Sequence, residues 1–166
     1  MDIASHGLWG GVAFGRKNIK SFWLSLLFGV LPDLLAFGPF FVGIFLGFYQ
    51  RPLFNGTEPP NPALIPSFVG QIYNITHSLI IFAAVFFIVW FILKRPVYEM
   101  LAWGLHILFD IPTHSYAFFP TPFLWPISAF KINGVHWGDP IILYPNIILL
   151  LILYIWFFKY KCKVKL

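Results

Sequence analysis

The chain of 166 residues is long enough for one compact domain, and its 59% hydrophobic against 10% charged side chains departs from the roughly 45–50% apolar content of soluble domains. An ordinary water-soluble fold is thereby excluded. The net charge of +5 gathers at the ends of apolar stretches, where positive charge marks a cytoplasmic edge and contacts anionic lipid, so nucleic acid is not an expected partner. A single cysteine, Cys162, excludes an internal disulfide and a cysteine-based metal cage.

Residues Ile3 to Gly15 are apolar and rich in small side chains, yet too short to cross a bilayer. They predict a short helix dipping into the membrane and ending at Arg16, with Gly7, Gly10, Gly11 and Ala13 allowing close packing. No basic region precedes a short apolar core, and no small-residue cleavage pattern follows Leu31, so a cleaved signal peptide is not expected. Beyond Arg16, Lys17 and Lys20, the stretch Phe22 to Gly47 is long enough to span. Its Gly29, Pro32, Gly38 and Pro39 predict a helix kinked or broken into two halves near Asp33, with freed backbone groups that need partners.

A Pro-rich loop, Arg51 to Pro66, leads to a second span, Ile75 to Leu93, closed by Lys94 and Arg95. Val97 to Pro112 is a shorter candidate span. The aromatic, Pro-rich loop Ser115 to Pro140 then precedes a last span, Ile141 to Phe158, and a basic tail of Lys159, Lys161, Lys163 and Lys165. Four spans of alternating direction put every basic cluster on the cytoplasmic side and both Pro-rich loops outside. The expected fold is all-α: a polytopic membrane helical bundle of about four spanning helices plus a short N-terminal helix. Residues 1–166 form a single integral membrane domain with 159–166 as its cytoplasmic tail.

Three polar islands interrupt the apolar chain: Leu31-Pro32-Asp33, Thr76-His77-Ser78, and the segment from Leu105 to His114. Ionisable groups in lipid-spanning sequence cost several kcal/mol unless paired or metal-bound, which makes them functional candidates. At about 1.5 Å rise per residue from the nearest basic edge, His6, Asp33, His77, His106 and Asp110 fall between roughly 15 and 25 Å deep. Five polar residues from four segments thus share one slab. His106 and Asp110, four apart, stack on one helix face with the reach to chelate one ion or bridge two. His114 continues that stripe, although Pro112 threatens to bend or end the helix before it.

Each residue also has a plainer role open to it. Asp33 would cap a restarted half-helix, His6 would sit at the interface without a ligand, and His77 would be a hydrogen-bonded interfacial histidine. His106 and Asp110 would form a structural hydrogen bond. Their coincidence at one depth favours a metal centre of His6, Asp33, His77, His106 and Asp110. Imidazole with carboxylate suits a divalent metal, zinc first and manganese or iron as alternatives. His136 and Asp139 fall in the outer loop, where solvation suffices, and Glu58 and Glu99 have no matching partners.

An early His6, Leu31-Pro32-Asp33, Thr76-His77-Ser78, His106-Ile107-Leu108-Phe109-Asp110 and then Leu124-Trp125-Pro126 together resemble the LexA-regulated, membrane-bound metal-dependent hydrolase family. The resemblance runs from residue 6 to about residue 128. Two departures stand out: Pro32-Asp33 continues as Leu34-Leu35-Ala36 where the family often has a further Asp and His, and Ile72-Tyr73-Asn74 stands where a basic residue or His often precedes Thr-His-Ser. A second metal position, or part of the charge that binds a phosphate-like group, is what these changes would remove.

The resemblance implies a hydrolase of a prokaryotic cytoplasmic membrane. Its metal would lower the pKa of a bound water, with Asp33, Asp110 and His114 as catalytic candidates for proton handling. A centre in the outer half of the bilayer points to a lipid or lipid-linked ester or phosphoester as substrate. Two other classes compete. A proton or metal-ion transporter needs a polar route onward to the cytoplasmic face, and the stretches between the site and the basic clusters offer no such residues. A non-catalytic scaffold would use the His/Asp centre only to hold helices together, with every ligand position filled.

The charge pattern makes a testable statement about orientation. In a Cys162→Ser background, single cysteines at Lys17 and Lys163 should resist an impermeant thiol reagent in intact cells, whereas one at Ser128 should label. Strong labelling of the tail would reverse the orientation.

Overall fold

The computed structural model describes residues 1–52 and 64–161. Most of the Pro-rich loop, with Glu58, and the tail residues Cys162, Lys163 and Lys165 lie outside the described residues. Among the described residues the structure is helical and contains no strand: α1 (Ile3–Phe14), α2 (Ile19–Phe45), α3 (Ser67–Thr76), α4 (Leu79–Leu93), α5 (Leu101–Thr113) and α6 (Pro140–Lys161), with a 3-10 turn at Tyr98–Met100 before α5. Side-chain caps set the starts. Asp2 accepts from Ser5 N at 2.9 Å, Asn18 from Ser21 N at 2.9 Å, Ser78 from Ile81 N at 3.2 Å and Asp139 from Ile141 N at 2.9 Å, each satisfying an amide the helix itself cannot.

Helix α2 is the centre of the bundle, touching α1, α3 and α5. The approach of α1 is close enough to require glycine at the crossing. A Cβ on Gly29 would stand 2.5 Å from the His6 carbonyl oxygen, and one on Gly10 would stand 2.6 Å from the Ser25 carbonyl oxygen, so the two backbones meet where side chains would hold them apart. On its other side α1 is tied to α6: Trp9 Nε1 donates to Asn146 Oδ1 at 2.8 Å, Asn146 Nδ2 to Ser5 Oγ at 2.8 Å, and the Tyr154 hydroxyl to the Leu8 carbonyl at 2.9 Å. Helices α4 and α6 turn apolar side chains such as Phe91 and Ile155 outward. In lipid such faces need no further burial.

Two helices, Ile19–Phe45 and Pro140–Lys159, are long and apolar enough to cross a membrane, and the pair α3 and α4, bent by 58°, makes a third if taken as one broken span. The 13 residues of α5 cover about 20 Å, short of a full crossing.

The break in the bundle is not where proline predicts it. Helix α2 runs unbroken from Ile19 to Phe45 through Pro32 and Pro39; Pro32 leaves the Phe28 carbonyl without its helical donor, and at the next carbonyl, that of Gly29, His106 Nδ1 donates at 2.7 Å. The stretch Ile75 to Leu93, free of proline and glycine, is interrupted at His77 and Ser78 instead. Here the outer loop supplies the missing partners. Leu79 N donates to the Phe123 carbonyl at 3.0 Å and Ser78 Oγ to the Trp125 carbonyl, so the Leu124-Trp125-Pro126 segment holds the break open. Proline at 112 does not end α5 early either, since the helix continues to Thr113 and His114 N still donates to the Asp110 carbonyl at 3.1 Å.

Two helical glycines should therefore respond oppositely to the same change. Alanine in a helix interior gains about 0.5–1 kcal/mol over glycine; at Gly70 in α3, where a Cβ meets nothing within 4 Å, Gly70→Ala should raise the melting temperature. Gly29→Ala should lower it, at a cost of roughly 1–3 kcal/mol from overpacking against His6. Thermal unfolding in detergent reads both.

Candidate metal centre

Each donor arrives on a different structural device. Asp33 sits on α2 one turn beyond Gly29, His77 at the α3–α4 break, and His106 and Asp110 one turn apart on α5. All four are buried. Each offers one ligand atom, and these atoms lie within 4.8 Å of one another.

Second partners orient the rings. The Gly29 carbonyl can only accept, so the neutral His106 ring carries its proton on Nδ1 and presents a bare Nε2. His77 Nδ1 lies 3.0 Å from Thr76 Oγ1, Trp103 Nε1 donates to the Thr76 carbonyl at 2.6 Å, and the Tyr73 ring stacks on His77 at 3.7 Å while its hydroxyl donates to the Phe119 carbonyl at 2.9 Å. The Nε2 atoms of His77 and His106 are left facing each other at 3.0 Å. Asp110 Oδ2 stands 3.2 Å from His106 Nε2 and 3.4 Å from His77 Nε2, and Asp33 Oδ1 stands 3.3 Å from His77 Nε2 and 3.9 Å from His106 Nε2.

The other oxygen of Asp110 is engaged elsewhere. His6 Nε2 approaches Oδ1 at 2.8 Å and His114 Nε2 at 3.3 Å. The Met1 amino group also contacts Oδ1, and lies 3.1 Å from both Thr113 Oγ1 and His114 Nε2. Of the five residues expected to form the centre, His6 thus lies beside the four-donor group rather than in it. It stacks on His106 at 3.6 Å and steadies the carboxylate. His114, its Nδ1 donating to the Phe119 carbonyl at 3.0 Å, reaches the same carboxylate edge.

Asp110 Oδ2 is buried and makes no hydrogen bond, although two imidazoles and a second carboxylate surround it. Lone pairs converging in a dry interior repel one another, and a buried carboxylate oxygen without a donor is costly. A cation removes both penalties. Four donors about 2.0–2.1 Å from a tetrahedral ion lie about 3.3 Å apart; five of the six separations, at 3.0, 3.2, 3.3, 3.4 and 3.9 Å, bracket that value, and the sixth, between the two carboxylates, is within 4.8 Å. The residues present fit a divalent metal.

Residues outside the centre have separate work. Asp139 caps α6, and His136 Nδ1 accepts from Gly138 N at 3.1 Å. Partial burial, with the charge of nearby His114, holds the His136 imidazole below its ordinary pKa. Glu99 has a partner after all: it accepts from Ser21 Oγ at 2.7 Å. Tyr73 was visible in the sequence only as a departure from a pattern, and its stacking on His77 follows from the α3–α4 break. No protein-family model, curated protein or solved structure matches the chain.

Metal content should rank the residues. Asp110→Ala should strip the metal, His6→Ala should weaken affinity about 10–100-fold as the loss of an orienting partner does, and His136→Ala should leave it unchanged. Elemental analysis of the purified variants, with zinc titration, checks the order.

Proposed function

We propose that this chain is a membrane-embedded, metal-dependent hydrolase that cleaves an ester or phosphoester of a lipid or lipid-linked substrate. The observation that carries the reading is the near-tetrahedral spacing of Asp33, His77, His106 and Asp110 around a carboxylate oxygen with no hydrogen bond. Two carboxylates offset a divalent charge, and the imidazole–carboxylate set suits zinc before manganese or iron. When bound, such an ion supplies Lewis acidity and a water acidic enough to ionise near neutral pH.

The chain's own residues orient and open the site. Gly29 fixes the tautomer of His106, Thr76 and Tyr73 hold His77, and His6 holds Asp110. Four donors on a tetrahedral ion fill every position, so turnover requires water to enter a fifth position or to replace Asp33, the ligand that lines a cavity of about 650 Å³. Hydrolysis needs access from that cavity and a scaffold does not. His114, against the far oxygen of Asp110, is placed to take or return a proton. In the membrane, α2, the broken pair α3–α4 and α6 act as crossing segments, and the shorter α5 together with the chain on either side of it completes a fourth, with the basic edges facing the cytoplasm of a prokaryotic cell.

Transport is the second reading. Ser25 is buried with a hydroxyl that makes no hydrogen bond, and Ser21 with Glu99 lies one turn nearer the basic edge, so that side is less apolar than the sequence reading allows. Groups one turn apart on a helix are separated by about 6 Å, beyond hydrogen-bond reach. They form no continuous proton wire.

Purified protein should hydrolyse a lipid ester or lipid phosphate in mixed micelles, lose turnover on chelation and regain it with zinc. The His106→Ala variant should stay inactive under all three conditions. Undiminished turnover after complete metal removal, or zinc-dependent proton flux in proteoliposomes without hydrolysis, would sink the proposal.

A further inference from the structure

The cavity at Asp33 has walls of a definite chemistry. Asp33, Phe37, Phe40, Phe41, Ile44 and Phe45 all line it, and their three- and four-residue spacing puts them on one face of α2. An aromatic wall therefore runs from the carboxylate to the end of the helix, about 18 Å away. Its outer part is open: Phe41 is 50% and Phe45 89% exposed.

Past the end of α2 the chain doubles back. Gly47 adopts φ +79°, Phe48 N donates to the Gly43 carbonyl at 2.8 Å, and Tyr49 packs on Phe40 with ring centroids 5.5 Å apart. This reversal returns Arg51 to the cavity it would otherwise leave behind. No carboxylate among the described residues forms an ion pair with Arg51. Of the acidic groups on the cavity wall, Asp33 belongs to the metal centre and Asp2 is occupied by Ser5 N at 2.9 Å and Ser5 Oγ at 2.5 Å.

From this juxtaposition of an apolar wall, a guanidinium with no ion-pair partner among the described residues and a carboxylate of the candidate metal site, we infer that the cavity is a binding site for a phosphate-bearing lipid. Arg51 pairs with the phosphate and the acyl chain lies along the Phe37 to Phe45 wall. A planar guanidinium grips phosphate in two places at once, and a mostly apolar pocket with few convergent polar groups is the usual form of an amphiphile site. The inference rests on the hydrolase reading for the fate of the ligand, but the binding itself does not require turnover.

Photo-crosslinking tests it on the full chain in mixed micelles, metal-loaded and chelator-stripped. The probes are phosphatidic acid with a diazirine on its acyl chain and diacylglycerol with the same chain. The label should map to residues 37–45, Arg51→Gln should cut labelling by phosphatidic acid about tenfold, and labelling by diacylglycerol should not change. Millimolar inorganic phosphate should not displace the lipid. Labelling spread evenly over the outer faces of α4 and α6, equal loss of both probes in Arg51→Gln, no loss of either, or displacement by phosphate alone would each overturn the inference. Correct labelling without hydrolysis would overturn only the hydrolase reading. Hydrolysis without labelling at 37–45 would overturn only this one.

Discussion

Two carboxylates and two imidazoles brought within 4.8 Å of one another inside an apolar bundle are the constraint on which the rest of the structure depends. Removing each ion from water costs several kcal/mol even after relaxation, so the chain must either neutralise the group or supply a counter-charge. Asp110 divides the problem between its oxygens. Oδ1 takes His6, His114 and the Met1 amino group, while Oδ2 is turned to Nε2 of His77 and of His106. A divalent cation would satisfy the second side, and the bundle holds that side in place.

Three features of the backbone serve this end. The glycine crossing of α1 on α2 brings His6 against Asp110 and leaves the Gly29 carbonyl within reach of His106. The break between α3 and α4 turns His77 inward, where a continuous helix would set its ring by helical period alone. The outer loop keeps the break open through Ser78 and Leu79. Apolar helices alone would assemble without any of these, since lipid solvates their outer faces.

The side of the centre that is open matters as much as the side that is closed. His77, His106 and Asp110 are sealed by Tyr73, Trp103 and His6, whereas Asp33 meets a cavity. The same α2 face then continues as phenylalanine up to the doubled-back segment carrying Arg51. A candidate ligand, access to it and an apolar lining therefore lie on one helix surface.

The sequence by itself determined the all-helical, membrane-embedded class, through its apolar content and end-clustered lysines and arginines, and it marked His6, Asp33, His77, His106, Asp110 and His114, because buried ionisable residues are too costly to be incidental. The pairing of His106 with Asp110 was legible from helical spacing alone. What tertiary structure decided is how these groups divide. A proline need not end a helix, so α2 runs whole through Pro32 and Pro39, whereas α3 parts from α4 where the Phe123 and Trp125 carbonyls accept from Leu79 N and Ser78 Oγ. His6 became the support of a carboxylate instead of a third imidazole donor, and Glu99 found Ser21, since contacts between helices are set by crossing geometry that local spacing does not encode. The return of Arg51 to the cavity belongs to the same class: a left-handed glycine permits the turn, but only packing on Phe40 and Gly43 gives it a direction.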